Sequence, residues 1–237
     1  MVTRAQGQVA NRTVDEIMND DAMSTLLMKY KWPVAVVILL LVGSVLGYGI
    51  FSQSRDKKND ANNQLIYRFK EDALGAFQAG KVDAKTLNEK LQELMQKTGD
   101  YKGTAAIMIQ TADLLTDKGQ LAEAKSILEK AKASNASPSS YLNYLISIRL
   151  AAVYEDLDQT NDAIQLLESI NQGPLKLMEG KSYLDLGRLY LKAGNKDKAK
   201  ANLQHVVEKF KENNFDKMAQ LYLEELDGQA TPAAPVK

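Results

Sequence analysis

The chain has 237 residues, enough for one medium-sized domain with appendages. Lys and Arg number 30 against 30 Asp and Glu, and neither the first 31 residues nor the remainder departs from balance, which excludes the one-sided positive field of a nucleic-acid binder. With no cysteine and a single histidine, His205, the sequence also excludes disulfides, thiolate zinc, thiol nucleophiles and multi-histidine metal centres.

Residues 1–31 form a mixed-charge tail, with Arg4, Arg12, Lys29 and Lys31 set against Asp15, Glu16, Asp20 and Asp21. From Trp32 to Ser54 no residue is charged, and the dense apolar run WPVAVVILLLVGSVLGYGIF ends at Phe51. At about 1.5 Å of rise per residue this run reaches about 30 Å as a helix, the thickness of a bilayer's hydrocarbon core. Residues 32–52 are therefore expected to form a transmembrane anchor. Pro33 is expected at its first turn, where the missing N–H costs little. Tyr30 and Trp32 mark one interface and Tyr48 and Phe51 the other, while Lys29, Lys31, Arg55, Lys57 and Lys58 fence both ends.

Gly47-Tyr48-Gly49 has the small-x-small form of a signal-peptide cleavage site. The leading region is too long and too acidic for a signal peptide, however, and the apolar run exceeds the usual length of its core, so an uncleaved single-pass anchor is expected. Gly43 and Gly47 form a small-xxx-small pair against which a second transmembrane helix could pack. Basic residues near the span are more numerous after it (Arg55, Lys57, Lys58, Arg68, Lys70) than before it (Arg12, Lys29, Lys31). By itself that bias favours a cytosolic C-terminal domain.

A polar juxtamembrane linker is expected at 53–60. Residues 61–227 then read as helix after helix. Ile66, Phe69, Ala73 and Phe77 recur at helical spacing, as do Leu87, Leu91 and Leu94. The breaks are short: Gly80-Lys81, Gly99-Asp100, Gly119-Gln120, Asn135 to Ser140, Asp158-Gln159, Gly173-Pro174 and Gly194-Asn195. Helices joined by such short turns must pack as antiparallel neighbours.

One spacing recurs. Tyr183, Leu186, Gly187, Tyr190, Ala199, Leu203 and Val206 stand in the tetratricopeptide order of large, small and apolar positions. Gly187 and Ala199 let two helices approach closely, Tyr190 and Leu203 fill the space around them, and Gly194 ends the first helix. Ser147, Leu150, Ala151, Tyr154, Ala163, Leu167 and Ile170 fit the same frame. Met108, Thr111, Ala112, Leu115, Ala124, Leu128 and Ala131 fit it more loosely. The frames are offset by 39 and 36 residues, near the ideal period of about 34. Helices at 61–79 and 84–97 supply a degenerate first pair, Phe215 to Leu226 a terminal cap, and the Pro/Ala-rich 228–237 a disordered tail. The expected fold is all-α: one N-terminal transmembrane helix, then a tetratricopeptide-like solenoid of helical hairpins closed by a C-terminal capping helix.

In this order the residues resemble the ancillary SecYEG translocon subunit family, the YfgM-like proteins. The stretches that carry the resemblance are YKGTAAIMIQTADLLTDKGQLAEAKSILEKA (Tyr101 to Ala131), IRLAAVYEDLDQTNDAIQLLESI (Ile148 to Ile170) and GKSYLDLGRLYLKAGNKDKAKANLQ (Gly180 to Gln204). The resemblance implies a bacterial inner-membrane protein with a cytoplasmic N-terminus and a periplasmic repeat domain. It also implies partners at the SecYEG translocon and among periplasmic chaperones that receive emerging chains. The implied orientation opposes the charge bias around the anchor, and it is preferred here because a tail with four acids and four bases sits on either side at little cost.

No chemistry competes with that reading. His205 lies alone between Leu203 and Val206, Glu224 and Glu225 point in different directions on one helix, and the glycines are helix stops rather than a phosphate loop. Neither an enzyme, a cofactor nor a small-molecule substrate is expected. The working surface is expected on the concave face of the repeats, with Asn143, Ser147, Arg149, Arg188 and Lys192 as candidate partner-binding residues. A scaffold of another cell-envelope complex (division, secretion or outer-membrane assembly) and a cytosolic-facing adaptor are the competing readings.

Overall fold

The structure, a computed structural model, describes residues 21–211 and 214–229. The tail residues 1–20 and 230–237 lie outside the described residues. All regular secondary structure among those described is helical. The chain divides into two compact units, residues 1–59 and 60–237.

The first unit is carried by α1 (Asp21–Arg68), which runs on into the second unit. Its apolar window has a mean hydropathy of 2.6 and none of it is buried. Leu39, Val45, Tyr48 and Ile50 each expose 70% or more. A helix apolar all round is covered by protein or by a membrane, and none of the described residues covers the apolar window of α1. It is the one helix among the described residues long and apolar enough to cross a membrane. Two details differ from the sequence reading. The helix begins upstream of the apolar run, so Pro33 lies inside it rather than at its first turn, and the chain there has no N–H for the carbonyl one turn back. Residues 53–60 are helical as well: they are polar but hold no glycine or proline to break the helix.

The second unit begins with the end of α1, which passes through a π-helical segment, Phe69–Leu74, and a last α-helical turn, Gly75–Gln78. Gly75 donates its N–H to the Lys70 carbonyl, the long reach of a π turn. The widened turn buries Phe69, Ala73 and Leu74 together with Phe77. Eight helices follow: α2 (Ala84–Thr98), α3 (Lys102–Asp117), α4 (Leu121–Ser134), α5 (Tyr141–Asp156), α6 (Thr160–Gln172), α7 (Glu179–Lys192), α8 (Lys196–Lys209) and α9 (Asn214–Gln229). Each packs on the one before it, as a solenoid of hairpins requires.

The hairpins close by one device. Asn195 donates to the Tyr190 carbonyl at 2.8 Å and Gly194 to Leu191 at 2.9 Å, with Gly194 at φ +77°. This pair of bonds around a left-handed residue is a Schellman turn. Gln120/Gly119 and Gln159/Asp158 repeat it for the two preceding hairpins, and Lys81/Gly80 repeat it after α1. The degenerate first pair is thus closed like the others. In the α5–α6 turn a side chain, Asp158, occupies the left-handed position at φ +58°.

The apolar core forms two clusters. One runs from the end of α1 through α5, with Leu87, Leu115 and Ile146 fully buried. The other joins α5 to α9 around Leu203, Val206 and Ala219. Tyr154 of α5 and Leu166 of α6 pack against both. On α9 the expected cap is present, with Ala219 and Leu226 buried.

Candidate partner-binding face

The repeat frame places its small residues where helices cross. Gly187 of α7 faces Leu203 of α8: a methyl group there would lie 2.6 Å from the leucine Cγ and Cδ2. Leu186, Tyr190 and Ala199 are buried around this contact, and Ala151 and Ala163 occupy the same positions one hairpin earlier. Tyr183 is half-buried and its ring lies tilted against His205, centroids 4.2 Å apart, and Phe210 meets the same histidine edge-on at 6.0 Å. The lone histidine is packed against two aromatic rings.

All five candidate partner residues lie on the first helices of successive hairpins, and four of them are already engaged. Arg149 of α5 donates from Nε to both carboxylate oxygens of Asp113 on α3, at 2.9 and 3.1 Å. Arg188 of α7 grips Glu155 of α5 in a two-pronged pair, with Nη2 to Oε2 at 2.7 Å, and Asp185 stands 3.9 Å away. Lys192 of α7 reaches Asp158 at 2.7 Å. Asn143 donates to the Asn135 carbonyl at 2.6 Å. Ser147, the fifth, is 1% exposed and its hydroxyl is directed at Asn143. Its side chain packs inside the hairpin and has no open surface to offer a partner.

Asp113 was not singled out by sequence reading, and Glu155 and Asp158, which cluster with Asp156 at a helix end, read there as solvated acids rather than as ion-pair partners. Their signal is the separation: each ion pair joins residues 36, 33 or 34 apart, close to one repeat. Hydrogen bonding to Arg188 holds the Glu155 carboxyl below its ordinary range, and Lys192 does the same for Asp158. Reciprocally, the bond to Glu155 raises Arg188 and the bond to Asp158 raises Lys192. These pairs lace consecutive first helices into one charged face. That face still exposes about a third or more of the Arg149, Arg188 and Lys192 side chains, enough to meet a partner.

On α1, a side chain built at Gly43 or Gly47 would meet nothing within 4 Å, so this strip is open in the single chain. The hydroxyl of the neighbouring Ser44 bonds back to the Leu41 carbonyl at 2.8 Å.

The sequence model of the tetratricopeptide repeat-like domain matches residues 27–227. The chain belongs to that family. No curated protein matches it. Among solved structures it is similar to a Podosopora anserina protein of nearly identical TPR-like repeats, at 22% identity and a TM-score of 0.54, covering 69% of this chain and 87% of that one. A tetratricopeptide repeat protein from Parabacteroides merdae is similar at 18% identity and a TM-score of 0.53, over 70% of this chain and 61% of its own. Both likenesses are of fold. Tetratricopeptide-like arrays are protein-interaction scaffolds.

Proposed function

We propose that this tetratricopeptide-like protein is a membrane-anchored interaction module that associates with the protein-translocation channel and assists the hand-over of secretory proteins to periplasmic chaperones. In this reading α1 is an uncleaved single-pass anchor in the bacterial inner membrane, with the N-terminus cytoplasmic and the repeats periplasmic. Asn143, Arg149, Arg188 and Lys192 meet partners on the repeat face, and Gly43 and Gly47 meet a transmembrane helix of the channel.

The observation that carries the reading is the coupling, in one chain, of a fully exposed apolar helix to a scaffold of this family. The resemblance of the repeat sequences to the ancillary translocon subunits supports the choice of machine. Two experiments test it. A photo-crosslinking residue is placed at Val42, beside Gly43, and another at Ala152, exposed one turn from Arg149. Channel subunits captured at Val42, or periplasmic chaperones at Ala152, are the expected result. Capture of a division, secretion or outer-membrane assembly complex, with no channel subunit at either position, overturns the translocon assignment. Because the chain has no cysteine, one introduced at the exposed Gln120 reports topology with an impermeant thiol reagent. Labelling that requires inner-membrane lysis would place the repeats in the cytosol, as the charge bias around the anchor suggests.

A further inference from the structure

The two later repeat junctions have the same parts with one charge reversed. At the junction of α6, α7 and α8, the Tyr190 hydroxyl donates to Glu168, and Lys198 closes the site. The Lys198 ammonium lies 3.0 Å from the Tyr190 oxygen, 3.7 Å from Glu168 and 4.9 Å from the centre of the tyrosine ring. One repeat earlier, Tyr154 takes the place of Tyr190 and donates to Glu129 at 3.0 Å. The position equivalent to Lys198 is Asp162. Two acids therefore flank the phenol where the sister site has an acid and a base. Burial first, then the hydrogen bond to Glu129 and the charges of Glu129 and Asp162, push the Tyr154 phenol up to about 12.

Among the described residues no cation comes within salt-bridge distance of Glu129 or Asp162. Lys125, the near candidate, stands 6.0 Å from the ring centre and bonds to Gln159 instead.

This acid pair sits at one end of a groove of about 500 Å³ between α4 and α6. Lys132 and Ala133 follow Glu129 on α4, Ala136 lies just beyond the end of that helix, and Gln165, Leu166 and Ser169 follow Asp162 on α6. Leu150 and the Tyr154 ring form the floor. The groove opens where the two core clusters meet, since Tyr154 and Leu166 belong to the packing of both. Two helical walls over an apolar floor suit a polypeptide segment docking through apolar side chains. The acidic end selects for a base beside them.

We propose that the groove between α4 and α6 binds a polypeptide segment carrying Lys or Arg next to apolar side chains, its cation seated between Glu129 and Asp162 where Lys198 sits one repeat later. The inference deepens the interaction-module reading by naming the chemistry of one partner, and it does not depend on the translocon assignment.

The probe is a fluorescent Leu/Arg peptide, with its citrulline counterpart as the uncharged control. Both are titrated onto the full-length chain in phosphatidylcholine nanodiscs, against empty nanodiscs. The wild type is expected to bind the Arg peptide about tenfold tighter than the citrulline peptide, the scale of one charge-assisted contact. Asp162→Lys, which rebuilds the sister site, is expected to remove that preference, and Glu129→Gln to weaken it. Both positions are exposed, so unchanged circular dichroism confirms folding. Lys198→Asp, which opens the sister site, is expected to leave the first site intact. Equal binding of the two peptides by the wild type, or an unchanged preference in folded Asp162→Lys, overturns the proposal. The assay contains no channel and no chaperone. A null result here with channel crosslinks at Val42 rejects the groove alone, and the converse rejects the translocon assignment alone.

Discussion

Gly187→Ala sets two effects of known sign against each other. Alanine is the better helix former, by about 1 kcal/mol. The new methyl, however, would lie 2.6 Å from Cγ and Cδ2 of Leu203 and 3.5 Å from the Ala199 carbonyl oxygen. Leu203 is fully buried, as are Ala199 and Val206 on the same helix, so the leucine has no solvent to turn into. Overpacking of this kind costs about 1–3 kcal/mol, so the net effect should be about 1 kcal/mol destabilising. For a domain of this size that lowers Tm by about 2–4 °C, read by circular dichroism of the full chain in mild detergent. The double variant with Leu203→Ala isolates the clash. Filling the space left by the leucine should make the pair cost less than the sum of the two single changes. A Gly187→Ala chain as stable as the wild type or more so, or strict additivity in the double variant, would refute the close-packing argument.

Three further outcomes are expected. Gly194→Ala, which forces a side chain into φ +77°, should destabilise by about 1–2 kcal/mol in denaturant unfolding. Glu155→Gln should cost about 1 kcal/mol, a value already discounted for the solvent around a partly exposed two-pronged pair, and a double-mutant cycle with Arg188→Ala should recover most of it as coupling. Stability should also depend on acid. Because Glu155 and Asp158 are held below their ordinary carboxylate range, their contribution is complete above about pH 4–5 and is lost as pH falls through their lowered values. The raised Arg188 and Lys192 lose their share only in strong base. Tm measured against pH should therefore be flat through neutrality and fall in acid, less steeply for the combined Glu155→Gln, Asp158→Asn variant.

The hairpin boundaries were legible because glycine marks them chemically: Gly80, Gly119 and Gly194 all take a left-handed conformation. The frame residues were legible because Gly187 and Ala199 are small for a steric reason that recurs with the repeat. The start of α1 was not. Charges at Lys29 and Lys31 bound an apolar run, but they do not end a helix, and nothing upstream signals a stop near Pro33. The π-helical turn at Phe69–Leu74 has no local mark in the sequence either. On the candidate face, polarity led Ser147 to be placed on the surface, whereas the structure spends its hydroxyl on Asn143. Asp113, Glu155 and Asp158 carried a signal only at the distance of a whole repeat, where each faces its base.

Asp158 has a consequence for how the array comes apart. It is the one side chain among the four Schellman turns, in a backbone region that favours glycine, and its carboxylate is held by Lys192 of the next hairpin. Glu155, one turn earlier, depends on Arg188 of the same neighbour. A chain cut after α6 would therefore forfeit more than the contacts of its missing hairpin: the preceding turn would keep its backbone strain without the base that offsets it, and an acid would be left half-buried. Local openings from the C-terminal end should accordingly take α5 and α6 with them, so that hydrogen exchange sees two hairpins released as one step where a repeat-by-repeat array would release them in turn.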